Sequence, residues 1–357
     1  MKLLRLLLFP FSLLYGLGVI VRNLAYDFGI IRTRKFKIPV ICVGNLAVGG
    51  AGKSPMTEYL VALLRHDFKI ATLSRGYGRK TKGFFKVNTA SLADDVGDEP
   101  LQFKRKFPEL TVAVCEDRVE GIKELNHDNE LIILDDGFQH RAVTPGFSIL
   151  LFDYNSMFNF QWVLPSGNLR EPLYGRSRAD VIVVTKTPED LPDEKRQQIL
   201  KTVAPYPKQK VFFSYLEYGH LTSLANPEKG MALESIKPET EVLLLTGIAN
   251  SFPLLKELKK RTLHILHHNY PDHHVFSKEN ILKLVADFKL LPGTDKLIIS
   301  TEKDIQRLRT VSILRSIEHL PVYYLPVKAQ IHQPEKAVFD ELIKKYVREH
   351  AVNHRIH

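Results

Sequence analysis

The stretch Ile38-Pro39-Val40-Ile41-Cys42-Val43-Gly44-Asn45-Leu46-Ala47-Val48-Gly49-Gly50-Ala51-Gly52-Lys53-Ser54 decides the fold. Its apolar, β-branched beginning reads as a buried strand, and the residues after it, from Met56 to Arg65, carry the apolar spacing of a helix. Strand, glycine-rich turn and helix in that order are the context of a phosphate-binding loop. Glycines let backbone N–H groups close around phosphate oxygens, and the helix N-terminus adds partial positive charge. Gly49, Gly50, Ala51 and Gly52 are therefore expected to cradle a nucleoside triphosphate. Lys53 is expected on its β- and γ-phosphates, and the Ser54 hydroxyl on Mg²⁺. Ala47 stands where the strict pattern has glycine.

Outward from this loop, strand-like and helix-like stretches alternate. Strands are expected at 69–74, 110–115, 130–134, 147–152, 180–184 and 211–215, with helices such as 99–106 and 118–125 between them. Such alternation predicts an α/β fold, a mainly parallel sheet with helices on both faces. The texture turns polar around 216–240, and a second α/β series follows. The expected organisation is an amphipathic N-terminal segment (1–37), a phosphate-loop domain (38–215) and a smaller α/β domain (216–357). The final helix is free to pack back on the first domain.

The run Leu131-Ile132-Ile133-Leu134-Asp135-Asp136-Gly137 delivers two acidic residues to a strand's C-terminal edge, where they can hold a metal or its water. Adjacent carboxylates beside phosphates repel without a cation, so Asp135 and Asp136 argue for Mg²⁺. Asn168-Leu169-Arg170-Glu171-Pro172 could add Glu171 to the metal and Arg170 to a phosphate. Ser74-Arg75-Gly76-Tyr77-Gly78-Arg79 offers Arg75, Tyr77 and Arg79 at a strand's C-terminal end, where open α/β sheets bind ligands. Asp98 opens a helix, as an N-terminal acid or as a general base for a substrate hydroxyl. His273 could serve as its histidine partner. In Thr301-Glu302-Lys303-Asp304, Thr301, Lys303 and Asp304 either contact the nucleotide or cap a helix.

Composition narrows the class. Hydrophobic residues make up 44% and charged residues 25% of the 357, which describes a globular protein with a core. Cys42 and Cys115 both sit in apolar runs and read as core residues. Fifty basic against forty acidic residues favour an anionic partner. The first 31 residues are strongly apolar, with Lys2 and Arg5 at the start and Arg22, Arg32, Arg34, Lys35 and Lys37 behind. Arg5, Ser12, Gly16 and Asn23 share one helical stripe, which leaves a broad Leu/Phe/Ile face. That is the pattern of a helix lying in a membrane interface. No helix-turn-helix, zinc-finger or aromatic RNA motif supports a nucleic-acid partner. A membrane-associated NTPase switch would share the phosphate loop, the acidic strand end and the Thr301–Asp304 segment but explains Asp98, the Leu169–Pro172 segment and the apolar N-terminus less well.

In this order, the apolar N-terminus, VGNLAVGGAGKSP, LSRGYGR, VGDEP, ILDDGFQH, LREP, TGIAN, DHH and TEKD resemble the tetraacyldisaccharide 4′-kinases, the lipid A 4′-kinases of Gram-negative bacteria. The resemblance implies ATP-dependent phosphorylation of the 4′-hydroxyl of a lipid-linked glucosamine disaccharide 1-phosphate at the cytoplasmic face of the inner membrane. A monomer is the favoured state. It implies Asp98 as base with His273 as partner, and Asp135, Asp136 and Glu171 around Mg²⁺. It also implies Tyr77 and Arg79 near the lipid disaccharide.

Overall fold

The computed structural model describes residues 7–159 and 161–355, with side chains through residue 350. Lys2 and Arg5 lie outside the described residues. The apolar N-terminus forms helix α1 (Phe9–Asp27). The phosphate loop runs from β1 (Val40–Asn45) into α2 (Lys53–Leu64). There follow β2 (Ile70–Ser74), β3 (Phe85–Lys86), α3 (Ala93–Val96), α4 (Asp98–Lys106), β4 (Thr111–Val114), α5 (Arg118–Leu125) and β5 (Leu131–Asp135). Next come β6 (Phe147–Asp153), β7 (Val181–Thr185), α6 (Asp193–Val203) and β8 (Lys210–Tyr218). The second half holds β9 (Leu221–Ser223), β10 (Gly230–Met231), β11 (Glu241–Thr246), α7 (Phe252–Leu258), β12 (Ile265–Asn269) and α8 (Lys278–Leu290). It ends with β13 (Lys296–Thr301), α9 (Asp304–Leu308), α10 (Val311–Ile317), β14 (Val322–Leu325), β15 (Val327–Ile331) and α11 (Glu335–Arg355).

The first sheet has the order β15-β8-β7-β6-β1-β5-β2-β4-β3 and is parallel from β8 to β4, with antiparallel edges. Strand residues alternate between two cores, as a sheet covered on both faces requires. Ile41, Val43, Ile133 and Ile149 pack with α2, α4 and α11. Val40, Cys42, Ile132 and Leu150 pack with α5 and α6. The six-stranded second sheet, β10-β9-β14-β13-β11-β12, is sandwiched in the same way between α7 and the group α8, α9 and α10.

The chain does not stay in the second sheet after residue 216. β8 continues to Tyr218, and β15 returns to pair with it antiparallel. α11 then packs Phe339, Ile343 and Val347 into the first core, and Tyr346 Oη donates to Val40 O at 3.2 Å. The physical reason is edge satisfaction: without β15 and α11, β8 and one face of the first sheet would stand open.

Helix α1 is amphipathic as read, but its polar stripe faces the protein. Ser12, Gly16 and Asn23 are buried, while Phe11, Leu14, Leu17 and Val21 are 57–69% exposed. Leaving such side chains in water forgoes about 1.5–3 kcal/mol each. Long enough and apolar enough to cross a membrane, α1 has only 17% of its apolar window buried.

Candidate active site

Five sequence segments meet where the C-terminal ends of the two parallel sheets face each other. At the phosphate loop, Gly52 has φ 81°, a left-handed conformation that suits glycine and turns the chain into α2. Gly44 allows a close approach, since a Cβ there would lie 2.5 Å from Phe138 Cβ. The loop is pinned from three sides. Asn45 Nδ2 donates to Ala47 O at 2.6 Å, Thr185 Oγ1 donates to Ala51 O at 2.8 Å, and Lys186 Nζ donates to Gly50 O and to Asp153. Lys53 Nζ donates to Asn45 Oδ1 at 3.3 Å and lies 3.7 Å from Asp136. Ser54 follows in the first turn of α2, half-buried.

Asp135 ends β5 fully buried. Its Oδ1 accepts from Thr57 Oγ1 at 3.0 Å, but its Oδ2 has no partner. Burial, together with Glu99 and Asp136, pushes its carboxyl up to about 7. A buried carboxylate oxygen without a donor, beside two other acids, fits a cation. Among the described residues no three His, Cys, Asp or Glu side chains converge on a metal-sized site. Mg²⁺ needs no such set, because one or two carboxylates with phosphate oxygens suffice. Asp136 takes a left-handed φ of 54° and accepts from Arg170 through both oxygens, at 3.1 and 3.0 Å.

Glu171 differs from its expected place on the metal. It is completely buried, and both oxygens are occupied: Arg178 at 2.9 Å to each, Gln139 at 3.1 Å and Asn23 of α1 at 3.2 Å. Arg79 is likewise engaged elsewhere, holding its own loop through Gly83 O at 2.6 Å and Glu116 at 2.7 Å. Arg75 and Tyr77 remain exposed.

The junction of the sheets holds the second group. Asp98 opens α4, buried, and its Oδ2 accepts from Arg307 at 3.0 Å and lies 3.2 Å from His273 Nδ1. Lys303 Nζ lies 3.1 Å from His273 Nε2. Burial works against the Lys303 charge, but Glu99, Asp272 and Asp98 outweigh it and raise its pKa above the ordinary value. A charged lysine only donates, so His273 Nε2 accepts and the ring proton sits on Nδ1, donating to Asp98. The Tyr77 ring lies 4.9 Å from the His273 ring. A cleft of about 580 Å³ opens here, lined by Tyr77, Asp98, His273, Phe276 and Arg307 among others. Another, of about 320 Å³, runs along the phosphate loop past Asp153, Lys186 and Asn250.

The Thr301–Asp304 segment divides its work. Lys303 enters the site, whereas Thr301 Oγ1 and Asp304 bond each other at 2.7 Å, and Asp304 also holds Gly247 N and Arg307. Nothing in the sequence marked Arg307 or Lys186, and Gln139 stood in the ILDDGFQH run without a role of its own; these side chains find Asp98, Gly50, Glu171 and Asn45 far along the chain. Of the four described non-glycine residues with positive φ, three are Asp136, Lys186 and His273, all at the site. Such strained backbone clusters at functional positions.

The sequence profile described as tetraacyldisaccharide-1-P 4′-kinase matches residues 4–348. The chain is 42% identical to the tetraacyldisaccharide 4′-kinase of Parabacteroides distasonis, over 98% of this chain and 96% of that one. It is 41% identical to the enzyme of the same name from Phocaeicola vulgatus, over 97% and 96%. A solved structure of "apo" form LpxK from Aquifex aeolicus in complex with ATP aligns with a TM-score of 0.74 and 30% identity, over 96% of this chain and 99% of that one. With that architecture shared from end to end, the chain belongs to the tetraacyldisaccharide-1-P 4′-kinase family.

Proposed function

We propose that the protein transfers the γ-phosphate of ATP to the 4′-hydroxyl of a tetraacyl glucosamine disaccharide 1-phosphate, working as a monomer on a membrane surface. The observation that carries this reading is the Lys303–His273–Asp98 chain of contacts, with Asp98 and His273 in the wall of a cleft and Glu99, next to Asp98, within the electrostatic reach of Lys53 in the phosphate loop. A switch that only hydrolyses nucleotide explains such a base, set at an open cleft, less well.

In this reading the phosphate loop and Lys53 bind the β- and γ-phosphates, and the nucleoside lies along the narrower cleft by Lys186 and Asn250. Ser54 and Asp135 would hold Mg²⁺, with Asp136 beside them. When bound, the ion neutralises charge developing on the phosphates. Both partners of Asp98 engage Oδ2, which leaves Oδ1 for the sugar hydroxyl. Asp98 takes the hydroxyl proton as the sugar oxygen bonds to the γ-phosphorus. The bond from phosphorus to the β–γ bridging oxygen breaks, and ADP leaves. His273 and Arg307 hold the carboxylate in place. Tyr77 and Arg75, exposed at the rim, stand where the disaccharide would enter.

Helix α1 supports membrane seating by its exposed Leu/Phe/Val face, with exposed Arg22, Arg32, Arg34, Lys35 and Lys37 nearby for anionic headgroups. The inner membrane's cytoplasmic leaflet is the surface this reading assigns. The test is transfer of label from γ-labelled ATP to a tetraacyl disaccharide 1-phosphate in detergent micelles. Labelled lipid with the native protein, lost in Lys53→Ala, is the expected result. Steady nucleotide hydrolysis without labelled lipid would overturn the reading.

A further inference from the structure

We infer that α1 is wired to the phosphate-loop lysine, so that Asn23 and Tyr15 are positioning residues for catalysis as well as parts of a membrane helix. The inference rests on the proposed role of Lys53 in holding phosphates. Two chains of contact lead from α1 to that ammonium group. In the first, Asn23 Nδ2 donates to Glu171 Oε2 at 3.2 Å, and Gln139 Nε2 donates to Glu171 Oε1 at 3.1 Å. The same Gln139 nitrogen donates to Asn45 O at 2.7 Å, and Asn45 Oδ1 accepts from Lys53 at 3.3 Å. In the second, Tyr15 Oη donates to Arg170 O at 2.8 Å. Arg170 grips Asp136 through both oxygens, and Asp136 lies 3.7 Å from Lys53.

The placement has a cost that anchoring alone leaves unexplained. A helix built only to float in an interface would turn its polar residues toward water and headgroups. Here Asn23 is completely buried, its carbonyl accepts from Arg141 at 2.8 Å, and its amide meets a carboxylate with no solvent exposure. A buried carboxylate that loses a donor must find another or shift, and its neighbours shift with it. Removing the Asn23 amide therefore disturbs Glu171, then Gln139, then the asparagine that aims Lys53. Substitutions in such supporting networks lower activity about tenfold to a hundredfold when they act on groups at the reacting centre. Seating α1 and arming the phosphate loop become one event.

The test compares the native protein with Asn23→Ala, Tyr15→Phe and the conservative Asn23→Gln. Turnover at saturating ATP and micellar acceptor is measured beside co-sedimentation with anionic phospholipid vesicles and thermal melting. The expected result is a fall of about tenfold in kcat for Asn23→Ala, with vesicle binding kept and activity partly restored in Asn23→Gln. Tyr15→Phe should fall by a smaller factor, and the double variant by less than the product of the two. Unchanged turnover in a folded Asn23→Ala protein would overturn the inference while leaving the kinase reading intact. So would turnover that falls only in step with vesicle binding. A native protein that labels no lipid would instead sink the functional reading itself. If Asn23→Ala melts below the assay temperature, Tyr15→Phe, which removes one exposed hydroxyl, decides the question.

Discussion

Two charged clusters between the sheets share out their donors in opposite ways. At the junction cleft one oxygen of buried Asp98 meets two donors, Arg307 and His273, with Lys303 behind the histidine; Asp304 shares Arg307, and Glu99 and Asp272 share Lys303. A few turns away, two acids share one base: Lys106 of α4 lies 2.7 Å from Glu58 of α2 and 2.9 Å from Glu302, the residue before Lys303. Gln102 adds a donor to Glu58 at 2.7 Å, but the balance remains acidic. Burial, and then Glu302, push Glu58 up to about 7 despite Lys106. The first bridge sets two donors on one carboxylate oxygen and fixes an atom that must not move. The second is short of positive charge and binds less tightly once Glu58 ionises. Precise holding and tunable holding thus occupy neighbouring parts of one interface.

The strongest way to break this contrast is at Asp98. Asp98→Asn keeps the shape and removes the base, so kcat should fall by about 10²–10⁴ while ATP affinity holds. A variant with near-native turnover would end the assignment. Next in size is Arg307→Leu. It strips a charge partner from both Asp98 and Asp304, and unpairing a buried ion pair costs about 3–5 kcal/mol. Denaturant unfolding should show that loss, and a much smaller one would mean Arg307 does not hold the two acids as described. The finest test is Glu58→Gln. A carboxyl raised in the folded state contributes stability that is present below its unfolded pKa and lost as pH rises through about 7. The native melting temperature should therefore drop between about pH 5.5 and about pH 8, and the variant should drop less, by an amount worth about 1–2 kcal/mol. Equal slopes would show that the second bridge does not titrate.

The phosphate loop and the β5 acids were legible because their chemistry is contiguous: a strand, a turn and a helix in one short run dictate where Lys53, Ser54 and Asp135 stand. Parallel β/α alternation was legible for the same local reason. Asp98 and His273 are 175 residues apart, so residue chemistry could only suggest the pair and the resemblance supplied it; no local rule brings α4 to the loop before α8. Asp304, read either as a nucleotide contact or as part of a helix cap, took the second role, whereas Glu171 and Arg79 read as ligand-facing because charged loop residues usually face water. Burial beside a complementary partner turned each into a brace, and burial of that kind depends on the whole fold. Ser12, Gly16 and Asn23 of the polar stripe of α1 do share a face, but what that face meets was not in the sequence, because Asn23 finds its partner in a segment 148 residues away. The return of β15 and α11 to the first sheet was open in the sequence, since edge strands carry little patterning of their own.

That return has a mechanical consequence. The chain crosses between the sheets twice, at Gly219 and at Pro326, and the two crossings are tied to each other by Gly219 N donating to Pro326 O at 2.9 Å. A body hung on one thread swivels freely, whereas one hung on a ribbon of two bonded strands bends far more readily than it twists. The second sheet is therefore tied to the first by two bonded strands, with His273 held against Asp98 and Lys303 behind it. Their meeting is an intramolecular encounter with few wrong orientations to search, so its effective concentration is set by the ribbon and not by diffusion.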